Sequence, residues 1–176
     1  MTKQHNFNDM KPVTAHGFIN LSIPAIWVPE YTESGRWVAS EPDEDNGCLW
    51  IDWESLGGGV VGRAMMEAQI AMAQPEEGSR EPDTADTEGD FGAFTEPSTM
   101  DAPCGAITLG ARRVFDEKVK HDIDIYYAHY FVPTKSEILM VSFNLVVGSD
   151  VAQEKQYQGL IETIWNEVFD ARFAAD

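Results

Sequence analysis

A chain of 176 residues, 43% hydrophobic and 11% aromatic, has the apolar material for one folded core and is short for two. Its formal charge of −18 argues against nucleic acid and anionic membrane as partners, because both select basic surfaces. A basic patch on another protein is the partner such a charge attracts.

The charge is one-sided along the sequence. Segment 30–54 holds eight acids against Arg36, and segment 74–104 holds nine against Arg80, whereas 105–140 balances five acids with five bases. No stretch approaches the roughly 18 apolar residues of a membrane helix. Met1-Thr2-Lys3-Gln4-His5 lacks a secretory apolar run, so the expectation is a cytoplasmic protein. Cys48 and Cys104 are too few for a disulfide framework and are read as reduced thiols.

Residues 1–17 are polar and irregular, with Pro12 breaking any helix, and read as a loose arm before a single domain over 18–173. From Phe18 to Pro24 the residues alternate, Ile19, Leu21 and Ile23 forming the apolar face of a half-buried strand. Arg36 to Ser40 and Cys48 to Glu54 flank a turn ending in Asn46-Gly47, which reads as a hairpin. The carboxylates at its tip resemble a calcium loop superficially. Cys48 stands where such a loop needs its sixth-position glycine, so no metal is expected there.

Gly57, Gly59 and Gly62 match the spacing of a dinucleotide-binding turn and precede a short helix over 63–73. The acidic second strand such a site needs is replaced by segment 74–104, with four prolines and nine acids. The glycines are therefore read as a strand-to-helix turn, no cofactor is expected, and 74–104 reads as a mobile insertion.

Three strand-like runs follow, over 107–120, 122–132 and 138–147. Ile123, Ile125, Tyr127, His129 and Phe131 are expected to meet Leu139, Val141, Phe143, Leu145 and Val147 in the core, leaving Asp122 and Asp124 solvated. His121 shares a parity with His129 about 27 Å away along the strand, too far to share a metal. Asp150 and Gln153 resemble a capping box opening the last helix. Its stripe of Tyr157, Leu160, Ile161, Ile164, Trp165 and Val168 is expected to pack on the sheet. The fold class is thus α+β: an antiparallel sheet, a long C-terminal amphipathic helix across it, and a shorter middle helix. Nucleophile-elbow and zinc-ligand spacings are absent from the sequence, which favours a non-catalytic role.

The order of elements, with the opening strand Phe18 to Pro24 and Trp27 just after it, resembles the PsbP-like superfamily. That resemblance implies a binding or adaptor domain that holds a protein partner, and carries no site residues with it. The partner surface expected here combines Trp37, Trp50 and Trp53 with Asp43, Glu44 and Asp45. A second reading is a helix-grip or cyclase-like ligand binder, with Tyr127, His129 and Tyr130 lining an apolar cavity between the sheet and the C-terminal helix.

Overall fold

The computed structural model describes residues 7–42, 47–73, 98–118, 120–152 and 154–174. Strand β1 (Met10–Ala15) pairs antiparallel with β2 (Ile19–Pro24). After β2 come β3 (Val28–Tyr31), β4 (Trp37–Ser40) and β5 (Gly47–Ser55), then helix α1 (Gly59–Ala73). Strands β6 (Ser98–Ala102), β7 (Gly105–Asp116), β8 (His121–Pro133) and β9 (Ile138–Gly148) follow. Helices α2 (Ser149–Ala152) and α3 (Lys155–Phe169) and the short β10 (Arg172–Phe173) close the order. The class is α+β, mostly antiparallel sheet. One sheet has the order β1-β2-β10, the other β3-β4-β5-β9-β8-β7-β6.

Each long strand divides its side chains between two environments, because successive residues point to opposite faces. On one face, Leu49 and Ile51 of β5, Phe143 and Leu145 of β9, and Tyr126 and Tyr130 of β8 join a continuous core. Ile19 and Ile23 of β2 and Leu160, Ile161 and Ile164 of α3 belong to the same cluster. The backbone N–H of Ser22 donates to the Glu167 carboxylate at 2.9 Å, tying β2 to α3. On the other face a smaller cluster of Leu56, Phe131 and Met140 receives Met66 and Ile70 of α1.

The glycine run makes the turn into α1. Gly57 and Gly59 have φ of 92° and 55°, a region that suits glycine. A Cβ on Gly58 would strike the Ser136 carbonyl oxygen, and one on Gly62 the Gly57 carbonyl oxygen. The turn is also sewn to β9, with Leu56 N–H donating to the Ile138 carbonyl and Ile138 N–H to the Gly57 carbonyl, both at 2.9 Å. The strand beside β5 is the antiparallel β9, so the parallel crossover of a dinucleotide site is not what these glycines serve.

Several expectations are corrected. The arm read over 1–17 contains β1. Pro12 is tolerated because β1 is an edge strand, and His16 and Gly17 turn the chain with φ of 51° and 78°. The loop read over 74–104 lies outside the described residues as far as 97. Its end is β6, held to β7 by backbone pairing and by the Thr99 and Thr108 hydroxyls 2.8 Å apart. The middle helix is no shorter than α3, since both run 15 residues once the glycines are counted in. Asp150 lies in the first turn of the separate α2, and Glu154, without a side-chain cap bond, precedes α3. Trp165 is half-buried, its ring edge-on to Tyr126.

The largest correction concerns β8. Its core face is Asp124, Tyr126, Ala128, Tyr130 and Val132, the parity opposite to the expected one. The register that sets Tyr126 against Leu145 and Tyr130 against Val141 fixes this. Asp124, expected in solvent, is 3% exposed. Two bonds from Arg113, at 2.7 and 3.1 Å, and the Ser149 hydroxyl at 2.7 Å satisfy its carboxylate. The same contact with Asp124 pushes the Arg113 guanidinium pKa up. Among the described residues, no helix is long and apolar enough to cross a membrane.

Arg113→Ala strands the Asp124 carboxylate and should cost about 3–5 kcal/mol in urea unfolding, whereas the double change Arg113→Met with Asp124→Leu should recover most of it. Gly159, exposed in α3 with open space around its Cα, should gain about 0.4–1 kcal/mol on change to alanine. Gly62→Ala, in the same kind of element, should lose stability because its methyl meets the Gly57 carbonyl.

Candidate functional site

The second face of the seven-stranded sheet is where exposed chemistry collects. Register places Val38, Trp50, Asn144, Tyr127 and Gly110 in one row across five strands. Asp52, Ser142, His129, Thr108 and Thr99 form the row beside it. Helix α1 covers the end of this face nearest the start of β9, through Met66 and Ile70. Between α1 and the open part of the sheet lies a cleft of about 330 Å³. Gln69 and Met72 of α1 form one wall, and Tyr127, His129 and Asn144 of β8 and β9 line it with Arg112 of β7.

Gly110 seats the Tyr127 ring. A Cβ at Gly110 would collide with the Tyr127 ring and hydroxyl, so the glycine lets the aromatic lie over β7. The Tyr127 and His129 rings are 5.8 Å apart between centroids and tilted by 51°. His129 Nδ1 lies 3.1 Å from the Ser142 hydroxyl. Burial pushes the His129 pKa below its usual value, with Glu54 opposing and Arg112 reinforcing the shift, so the ring is neutral at pH 7. Burial likewise pushes the Tyr127 hydroxyl up, leaving it protonated.

Beyond the cleft, Arg36 lies 4.8 Å over the Trp50 ring and its Nε donates to Asp52 at 2.7 Å. This is a cation–π contact and an ion pair on a half-exposed surface, worth about 1 kcal/mol or less each. Among the described residues no three His, Cys, Asp or Glu side chains are grouped to hold a metal.

The residues singled out in the sequence divide sharply. Trp37 is 2% exposed and belongs to the core, because its parity on β4 matches Ile51 rather than Trp50. Trp50 lies on the outer face. Trp53 is 44% exposed at the margin of the core face, edge-on to Phe18 at 5.3 Å. Asp43, Glu44 and Asp45 lie outside the described residues. Tyr127 and His129 share the cleft, whereas Tyr130 is fully buried on the opposite face, its hydroxyl accepting from Cys104 N–H at 2.9 Å. The core cluster joins the sheet and α3, and the cleft that Tyr127 and His129 line lies on the other side of the sheet, under α1. Arg112, Asn144 and Gln69 were not foreseen. They come from three separate elements, and strand parity was the signal that would have grouped the first two.

No family model and no curated protein matches this sequence. Among solved structures, the chain is similar to LpqN of Mycobacterium tuberculosis, involved in cell envelope biogenesis. The TM-score is 0.59 at 12% identity, over 95% of this chain and 91% of LpqN. A Bacteroides thetaiotaomicron protein is similar at a TM-score of 0.50 and 10% identity, over 93% of this chain and 47% of that one. The Ran-binding protein Mog1p of Saccharomyces cerevisiae matches at 0.46 and 10%, over 93% and 95%, too loosely to carry an argument. Identities this low speak to fold and not to activity. The chain has the PsbP-like fold.

Proposed function

We propose that this chain is a non-catalytic protein-binding domain of the adaptor kind, with the outer side of α1 as its docking surface. The observation that supports this most is an apolar stripe pointing away from the fold. Val61 and Met65 are 66% and 44% exposed, and Ala64 and Ala68 are exposed beside them. Their spacing puts Val61, Met65 and Ala68 along one line of the helix. Met66 and Ile70, on another side, already dock α1 to the sheet. Contiguous exposed apolar surface of this kind marks interaction sites.

The partner is a protein with an apolar strip rimmed by basic residues. The charge of −18, concentrated in 30–54 and 74–104, supports this, since such a surface is steered toward α1 by the field around it. Trp50 and Trp53, with Asp43, Glu44 and Asp45, would contribute to the rim. Trp37 belongs to the core and drops out of the surface. Cys48 and Cys104 are thiols, which fits the cytoplasmic setting expected from the sequence.

The test compares capture of protein partners by the wild type and by Val61→Ser with Met65→Ser, at about 0.1 M and 1 M salt. Both replaced residues are exposed, so stability should stay within about 0.5 kcal/mol. A basic protein held by the wild type at low salt, released at high salt and lost from the double variant is the expected result. Equal retention by both proteins, or retention indifferent to salt, would overturn the reading.

A further inference from the structure

We propose that the cleft between α1 and the outer sheet face binds a small organic carboxylate, a monoanion with a compact apolar body. This site is lined from the inner side of α1 and does not rest on the docking surface proposed above.

Three observations converge on that chemistry. Arg36 and Arg113 are each engaged by an aspartate, at 2.7 Å in both cases, whereas Arg112 has no ion-pair or hydrogen-bond partner among the described residues. In a chain of charge −18, an arginine with no such partner among the described residues, at the wall of a cleft, is a site for an anion brought from outside. The hydrogen-bonding capacity around it is also unused. The half-exposed Tyr127 hydroxyl and the Asn144 and Gln69 amides make no hydrogen bond among the described residues and are open to an incoming ligand. These are donors that supplement a guanidinium in holding a carboxylate. Finally, the Tyr127 ring, Phe131 and Met72 supply apolar wall in the same space.

Size and charge narrow the class. A volume of about 330 Å³ stands at the low end of the ~300–1,000 Å³ of small-molecule sites, so the ligand is small. His129 is neutral, its Nδ1 already facing Ser142, which leaves Arg112 as the cation among the lining residues. One guanidinium with neutral amides suits a singly charged carboxylate better than a doubly charged phosphate. Bidentate pairing between guanidinium and carboxylate sets orientation, and the apolar wall takes the rest of the molecule.

Phenylacetate, titrated into the isotope-labelled full chain and followed by amide and side-chain NMR shifts, tests this. Saturable shifts confined to Arg112, Tyr127, His129, Asn144 and Gln69, with half-saturation below about 10 mM, are expected. Neutral phenylacetamide should bind at least ten-fold more weakly. Arg112→Gln, an exposed position, should lose the same factor for phenylacetate and nothing for the amide. Gly110→Ala displaces the Tyr127 ring, whose free end can move, and should weaken both probes alike. No saturation by about 10 mM, shifts centred elsewhere, or equal phenylacetate affinity in Arg112→Gln would overturn the proposal. Val61 and Met65 play no part in these measurements, so the outcome is independent of partner capture.

Discussion

The antiparallel register between β8 and β9, unbroken from Ile123 opposite Gly148 to Pro133 opposite Ile138, is the constraint on which both faces of the molecule depend. Side chains alternate with a period of two, so this ladder decides at once what is core and what is cleft. It turns Tyr126, Ala128 and Tyr130 toward the large cluster together with Phe143 and Leu145. By the same act it turns Tyr127, His129 and Asn144 outward. A slip of one residue would bring His129 and Tyr127 into the interior and expose Tyr130. The ladder's end is fixed independently: Asp124, opposite Arg113 on β7, is bonded to it and to Ser149 where the chain leaves β9 for α2.

Much of this architecture was legible because periodicity is a local signal. The opening strand β2, the β4–β5 pair and the long strands β7, β8 and β9 all declared themselves by alternation or turn residues. The stripe of α3 did so by its three- and four-residue steps. What was not legible required knowledge of a partner element. β8 is apolar or aromatic on both parities, and nothing within its own sequence says which side meets α3. β1 carries a proline and a lysine, and is a strand because β2 lies beside it. β6 is five mostly exposed residues that become a strand by pairing with β7.

The candidate site illustrates the same limit more sharply. Tyr127 and His129 were suspected as ligand groups and do line a cleft, though on the opposite side of the sheet from the one expected. Trp37 and Trp50, separated by thirteen positions, looked equivalent as tryptophans beside a charged turn. The β4–β5 register sets Trp50 opposite Val38 and Trp37 opposite Ile51, which sends one outward and the other into the core. Arg112 and Arg113 are adjacent and differ in the same way, one facing the cleft and the other neutralising a buried carboxylate. Adjacent residues of identical chemistry thus acquire unrelated roles from the pleat alone.

The strand at one margin of the large sheet has a consequence for the protein's behaviour in crowded solution. All four residues of β3 are exposed, and a strand so placed offers unpaired backbone groups on which another chain's strand can extend the sheet. Pro29 has no N–H to give to such a newcomer, and Glu30 beside it brings a charge that a second copy would also carry. Stacking of like molecules at this margin therefore meets both a missing hydrogen bond and electrostatic repulsion, so fibre-like growth from β3 is discouraged.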